Sequence, residues 1–371
     1  MLILLNLLVP LVSHAQGDVV LDTTYIEKAQ VREMINQHDT VIPGTHTIRK
    51  VQTLTIKVLG GPDKGVVKTI DNDYIQLNKG DMFYLRHQSN ALDGTDYWTV
   101  ADPYRLNILY GLAVIFLVLL FFFGGIQGVR GLATLLGSLI LIFYVLLPGI
   151  LGGYSPALVS ISVASLIIIL GSYITHGFNR TTSAAVLGML ITVIITGLGA
   201  YYVVHIGQFS GYTTEENINL NFNTHGTINM TDLLFSGVII GLLGVLYDIA
   251  IGQAIAVEEL YRAGRDMTRV EVYKRAIRIG REHIGALVNT LAIAYVGTAL
   301  PLLLLLTETY SSNASIGSVV NGERFATEII RILIGSIGLI LAVPITTLVC
   351  SFILEKHRAA LEETSSSHHH H

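Results

Sequence analysis

An acid lies where lipid should leave no room for one. The segment from Gly241 to Gly264 is apolar enough to enter a bilayer, yet it carries Asp248, and a basic stretch follows at once. An ionised carboxylate in hydrocarbon costs several kcal/mol or more, so a membrane helix that keeps one usually turns it toward a polar interior, a water-filled cavity or a partner. On a helix Asp248, Gly252, Ile255 and Glu259 fall along one stripe, because steps of four, three and four residues return to nearly the same azimuth. Gln253 lies one turn deeper. Two later apolar runs place Asn289 and Thr290, and Pro344, Thr346 and Thr347, at a similar depth. Carboxylate, amide and hydroxyls, with a proline that frees a backbone carbonyl, form the oxygen-rich set that a cation or proton pathway needs. The simpler reading of Asn289, Thr346 and Thr347 is interhelical bonding to backbone.

The composition requires a membrane for these residues. Of 371 residues 51% are hydrophobic and only 13% charged, against roughly a quarter charged in soluble domains. A net charge of -4 gives no support to a nucleic-acid partner. One cysteine, Cys350, excludes an internal disulfide and a cysteine-built zinc site, and the scattered His176, His205, His225 and His283 have no ligand spacing. No cofactor is expected. Leu2 to Val12 followed by Ser13, His14 and Ala15 reads as a signal-like segment over residues 1–15, and Ser365 to His371 as a tag, within a tail over 357–371.

Residues 16–104 have the composition of a soluble, β-rich domain, expected to be a small barrel of the OB or SH3-like kind. Val51 to Leu59 alternates as a half-buried strand, Gly60 to Gly65 is turn chemistry, and Val66 to Ile70 and Met82 to Leu85 return as strands. The stretch Tyr25 to Asn36 reads as a possible helix. Over 105–356 seven apolar runs follow: Leu106–Phe123, Leu132–Ile150, Ala157–Ile174, Ser183–Val204, Leu233–Val257, Ile284–Leu306 and Ile329–Phe352. Basic residues concentrate after the first, third, fifth and seventh, most densely from Arg262 to Arg281, which predicts the N-terminal domain outside and the C-terminus inside. Thr268 and Glu271 form a capping-box pattern opening an interfacial helix over 268–283, with Val270, Tyr273, Ile277 and Ile284 on its apolar face. At the start of the last run Glu328 and Arg331 are spaced to pair.

Four blocks carry a resemblance: the VLGGPDKG turn within Val51 to Gly65, YDIAIGQAIAVEEL, IGREHIGALVNTLAIAYVGTALPLLLLL, and EIIRILIGSIGLILAVPITT. By them the chain resembles the YibE/F family of bacterial membrane proteins, from about Val51 to the last run. The resemblance implies a multispan protein with an extracytoplasmic N-terminal domain, and it places Asp248, Gln253, Asn289, Thr290, Glu328, Arg331, Pro344 and Thr346 in motif blocks. It implies no particular activity. A basic-flanked anchor expected of relatives is replaced here by the short signal-like segment. The expectations are a transporter or channel for a small ion or solute in a bacterial plasma membrane, in the lipid bilayer and able to form a homo-oligomer. The alternative is a sensor or assembly partner whose outer domain binds another protein. An intramembrane protease finds neither a GxGD sequence nor a second buried acid facing Asp248.

Overall fold

The computed structural model describes residues 23–90, 94–264, 266–310 and 315–367. The signal-like segment lies outside the described residues, as do 368–371 of the tail. The chain divides into two compact units, Met1–Phe122 and Phe123–His371.

The first unit holds a five-stranded antiparallel sheet: β1 (Thr23–Val41), β2 (Ile48–Val58), β3 (Val67–Asn72), β4 (Met82–Ser89) and β5 (Asp96–Pro103), ordered β3-β2-β1-β4-β5. Tyr25 to Asn36 is therefore strand, not helix. Its helix-forming residues are overridden by pairing on both sides, with Thr23 to Gln30 against β4 and Ala29 to Val41 against β2. The sheet curls into a half-barrel: β3 and β5 approach each other but share no ladder, so the full barrel is not closed. Its core is Ala29, Val31, Leu54, Ile56, Phe83 and Leu85, all at most 1% exposed. The GGPDKG turn is fixed from within. Glu27, 3% exposed, accepts from the Asp63 amide at 3.1 Å, and the space beside Gly61 (φ +84°) is filled by that carboxylate. His87 holds the Asp63 side chain at 2.6 Å, stacks on Trp98 and lies 3.2 Å from Asp96.

Helices follow: α1 (Leu106–Leu141), a π-helical turn (Ile142–Leu146), α2 (Leu147–Leu151), α3 (Pro156–His176), α4 (Arg180–Ile206), α5 (Glu215–Asn223), α6 (Met230–Ala263), α7 (Arg269–Thr298), α8 (Leu300–Tyr310), α9 (Ile316–Asn321) and α10 (Glu323–Ser367). Among the described residues five helical stretches are long and apolar enough to cross a membrane: Leu106–Leu151, Pro156–His176, Arg180–Ile206, Met230–Ala263 and Glu323–Glu355. The chain is thus a helical membrane protein. The seven runs do not appear as seven separate helices. The first two fall in one 46-residue stretch, which at ~1.5 Å per residue is about twice the length of one crossing. That stretch is broken between the two runs by Gly125, whose φ of 52° and ψ of -142° only glycine adopts readily. The π-turn sits where Pro148 cannot donate back to Tyr144. The sixth run is divided between α7 and α8 and is not one of the five.

The core of the second unit is built by α3, α4, α6, α7 and α10. Small residues set its closest approaches. A Cβ on Gly188 of α4 would stand 2.8 Å from the Thr346 Cα of α10, and one on Gly338 would stand 2.8 Å from Thr196 Cγ2. Cys350 is sealed in this core at 0% exposure.

Candidate functional site

Helix α6 fixes which of the expected polar residues can meet. Its inward stripe is Leu242, Leu246, Ala250, Gln253 and Val257, each at most 2% exposed. Asp248 follows Leu246 by two residues, about 200° around the helix. It therefore points away from the core. Asp248, Gly252, Ile255 and Glu259 all lie on the exposed face, and Asp248 forms no hydrogen bond or ion pair with a described residue. This corrects the expectation of an inward carboxylate. Gly237, Gly241 and Gly244 continue the same exposed stripe.

Gln253 does turn inward, 2% exposed, where α6, α7 and α10 converge. Its amide meets the Thr347 hydroxyl at 2.9 Å. With the nitrogen on that side, the amide donates to Thr347 Oγ1 and to the Ala276 carbonyl at 3.3 Å, and its oxygen accepts from the Gly280 amide at 3.3 Å. Thr347 Oγ1 also lies 2.6 Å from the Val343 carbonyl one turn earlier. Gly280 leaves the room this needs, since a Cβ there would meet Gln253 and Val343. One amide therefore bridges three helices.

The other expected members are elsewhere. Asn289 and Thr290 are exposed on α7, where Thr290 Oγ1 returns to its own Ala286 carbonyl at 2.9 Å. Thr346 is 0% exposed but faces Gly188 of α4, and its hydroxyl has no partner among the described residues. Helix α10 runs through Pro344 without a break, so the interrupted helix is not formed. Glu328 and Arg331 do pair, at 3.5 Å. Glu323 accepts from the Ser210 and Gly211 amides at 2.7 and 2.8 Å and from the Ser210 hydroxyl, tying the chain after α4 to the start of α10.

Helix α7 opens with the expected capping box, Thr268 and Glu271 reciprocally bonded. That contact draws the Glu271 carboxyl below its usual range, first through the Thr268 backbone and then its hydroxyl. The face packed on the protein is that of the small residues. Val272, Ala276 and Gly280 are inside, Val270 is 59% exposed, and Ile277 and Ile284 lie at the margin. Arg269 anchors this end to Glu355, with its guanidinium 4.0 Å from the Phe352 ring.

Near the start of α10, beside α5 and the end of α7, is a recess of about 510 Å³. Glu215 and Glu216 line it from α5, and Arg324, Glu328 and Arg331 from α10. Pro301, Leu302 and Leu305 form its apolar side. A second recess of about 390 Å³ shares Leu302, Leu305 and Arg324 with it. Arg331 Nε is buried without a partner among the described residues, and the guanidinium lies 5.8 Å from the Tyr295 ring. Bonds to its own amide and to Thr214 hold the Glu216 carboxyl below the usual range. Sequence reasoning missed Glu215, Glu216 and Tyr295, although Thr214-Glu215-Glu216 is a legible helix start. No group of three His, Cys, Asp or Glu residues able to hold a metal ion occurs among the described residues.

A family model described as YibE/F-like protein matches residues 112–356. The chain belongs to that family. The YibE/F match takes in the Gln253 junction and the recess, whereas the sheet of the first unit lies before it. No curated protein and no solved structure matches the chain.

Proposed function

We propose that this YibE/F-like protein is a membrane transporter for a small solute or ion, moving it along the seam between α6, α7 and α10. The observation that carries this reading is the buried amide of Gln253, bonded to Thr347 and facing Ala276 and Gly280, in the interior of a helix bundle. A polar group kept inside a membrane bundle is expensive, and such groups mark substrate and ion pathways. The recess lined by Glu328 and Arg331 lies nearer the start of α10, beside the end of α7. Between the two, Leu291 is 5% exposed and packs at Gly335, an apolar closure.

The basic connection from Arg262 to Arg281 supports an orientation with the sheet domain outside a bacterial plasma membrane and the C-terminus inside. In that orientation Gln253 lies toward the cytoplasm and the recess toward the exterior. Transport is tested by flux into proteoliposomes for mono- and divalent cations and for neutral amino acids. Parent protein should exceed empty vesicles for one class, and Gln253→Leu should slow that flux at least tenfold. Equal flux for parent and variant would overturn the seam as the path.

A second reading, a sensor or assembly partner, is favoured by the hairpin of β1 and β2, where Ile35, Val41 and Ile48 are 58%, 57% and 64% exposed. It predicts that polar substitutions at these three positions abolish cellular activity while leaving flux in vesicles unchanged. Loss of both together would refute it.

A further inference from the structure

The recess between α5, the α7–α8 junction and α10 has three chemically distinct walls. On α10, Arg324, Glu328 and Arg331 are spaced by four and three residues and share one face. Their net character is cationic. Facing them, the first turn of α5 supplies only acids, Glu215 and Glu216, both exposed to the space. The third wall is the apolar surface of Pro301 and Leu302. A volume of about 510 Å³ suits a small organic molecule rather than a bare ion.

The arginine is incompletely satisfied. Arg331 Nη1 stands 3.5 Å from Glu328, long for a charge-assisted bond of about 2.7–2.9 Å. Its Nε is buried with no acceptor among the described residues. A guanidinium lining the recess with one long contact at Nη1 and an unpaired Nε, beside an apolar wall, suits a planar carboxylate. A purely anionic guest would also face Glu215, Glu216 and Glu328, and a purely cationic one Arg324 and Arg331. Only a molecule carrying both signs meets each wall with its complement.

We infer that this recess binds a small zwitterion, a carboxylate at Arg331, an ammonium toward Glu215 and Glu216, and an apolar side group on Pro301 and Leu302: the chemistry of a neutral amino acid. This names the solute class of the transport reading and rests on that reading only for what the binding serves.

The test is equilibrium binding of radiolabelled leucine to the full chain in detergent, with leucinamide and 4-methylpentanoate as competitors that each lack one charge. Leucine should bind saturably, and each competitor, lacking one of the two charges, should be at least tenfold weaker. Arg331→Gln should weaken leucine tenfold or more, and Glu215→Gln should do so with the fold untouched, as Glu215 is exposed. No saturable binding would overturn the inference. So would 4-methylpentanoate equal to leucine, which makes the site an anion site, or leucinamide equal to leucine, which makes it a cation site. Leucine binding without flux of any solute would overturn the transport reading and leave the site standing. Cation flux without leucine binding would do the reverse.

Discussion

At the scale of single residues, Gln253 and Asp248 separate two meanings of a polar group in an apolar helix. Both are visible in one motif block, five positions apart, yet one bridges three helices and the other faces outward. The azimuth that separates them was legible once the inward stripe was known, but the sequence could not tell which stripe was inward, because Gly-rich and Leu-rich faces are both apolar. Gln253→Leu should therefore destabilise the helical unit by about 1 kcal/mol through lost interhelical bonds, read as a lower detergent-unfolding temperature. Asp248→Leu should leave that temperature unchanged or higher, since it removes only an outward acid. In the first unit, hydrogen bonds from His87 and then Ser89 hold the Asp96 carboxyl below the usual carboxylate range. A depressed acid contributes stability above its unfolded pKa and loses it as pH falls through the folded one. Unfolding of the sheet domain should thus steepen below about pH 4, and Asp96→Asn should flatten that part of the profile, followed by Trp98 fluorescence. An unchanged profile would show that the His87 contact carries no linkage.

At the scale of elements, what was legible followed strong local chemistry. The capping box at Thr268, the turn at Gly60 to Gly65 and the pairing of Glu328 with Arg331 are all short-range patterns, and all are formed. What was not legible depended on partners far along the chain. Tyr25 to Asn36 carries good helix formers, and only the two neighbouring strands make it β1. The sequence shows an apolar face on α7, but which of its residues pack on protein depends on α10, against which the small residues Ala276 and Gly280 are buried. Two substitutions test these causes. Thr268→Ala should cost about 1 kcal/mol by removing the cap. Gly188→Leu should do more harm than most core changes, because the atoms it meets include the Thr346 backbone, which cannot swing aside. Normal expression and melting of Gly188→Leu would mean that α4 and α10 can part there.

At the scale of the molecule, charge density falls sharply after Asp102-Pro103, where the sheet ends, whereas the two compact units part at Phe122–Phe123, within α1. The number of crossings was not legible from composition. Apolar runs count hydropathy, whereas helices also follow backbone geometry, and Gly125 and Pro148 reshape the first long stretch without interrupting its apolar character. Orientation is open to direct measurement. With Lys64→Cys in the turn of the sheet domain, a membrane-impermeant maleimide added to intact cells should label the chain, and a cysteine replacing Lys274 should react only after the membrane is breached. The opposite pattern would invert the topology.

That measurement is simplified by Cys350. The native sulfur is walled in by α10 and its neighbours, so a spin label or fluorophore attached at any added cysteine should report from one place without prior mutagenesis of the background. Pairs of such probes, one on α7 and one on α10, would then read the separation of those helices as solutes are added.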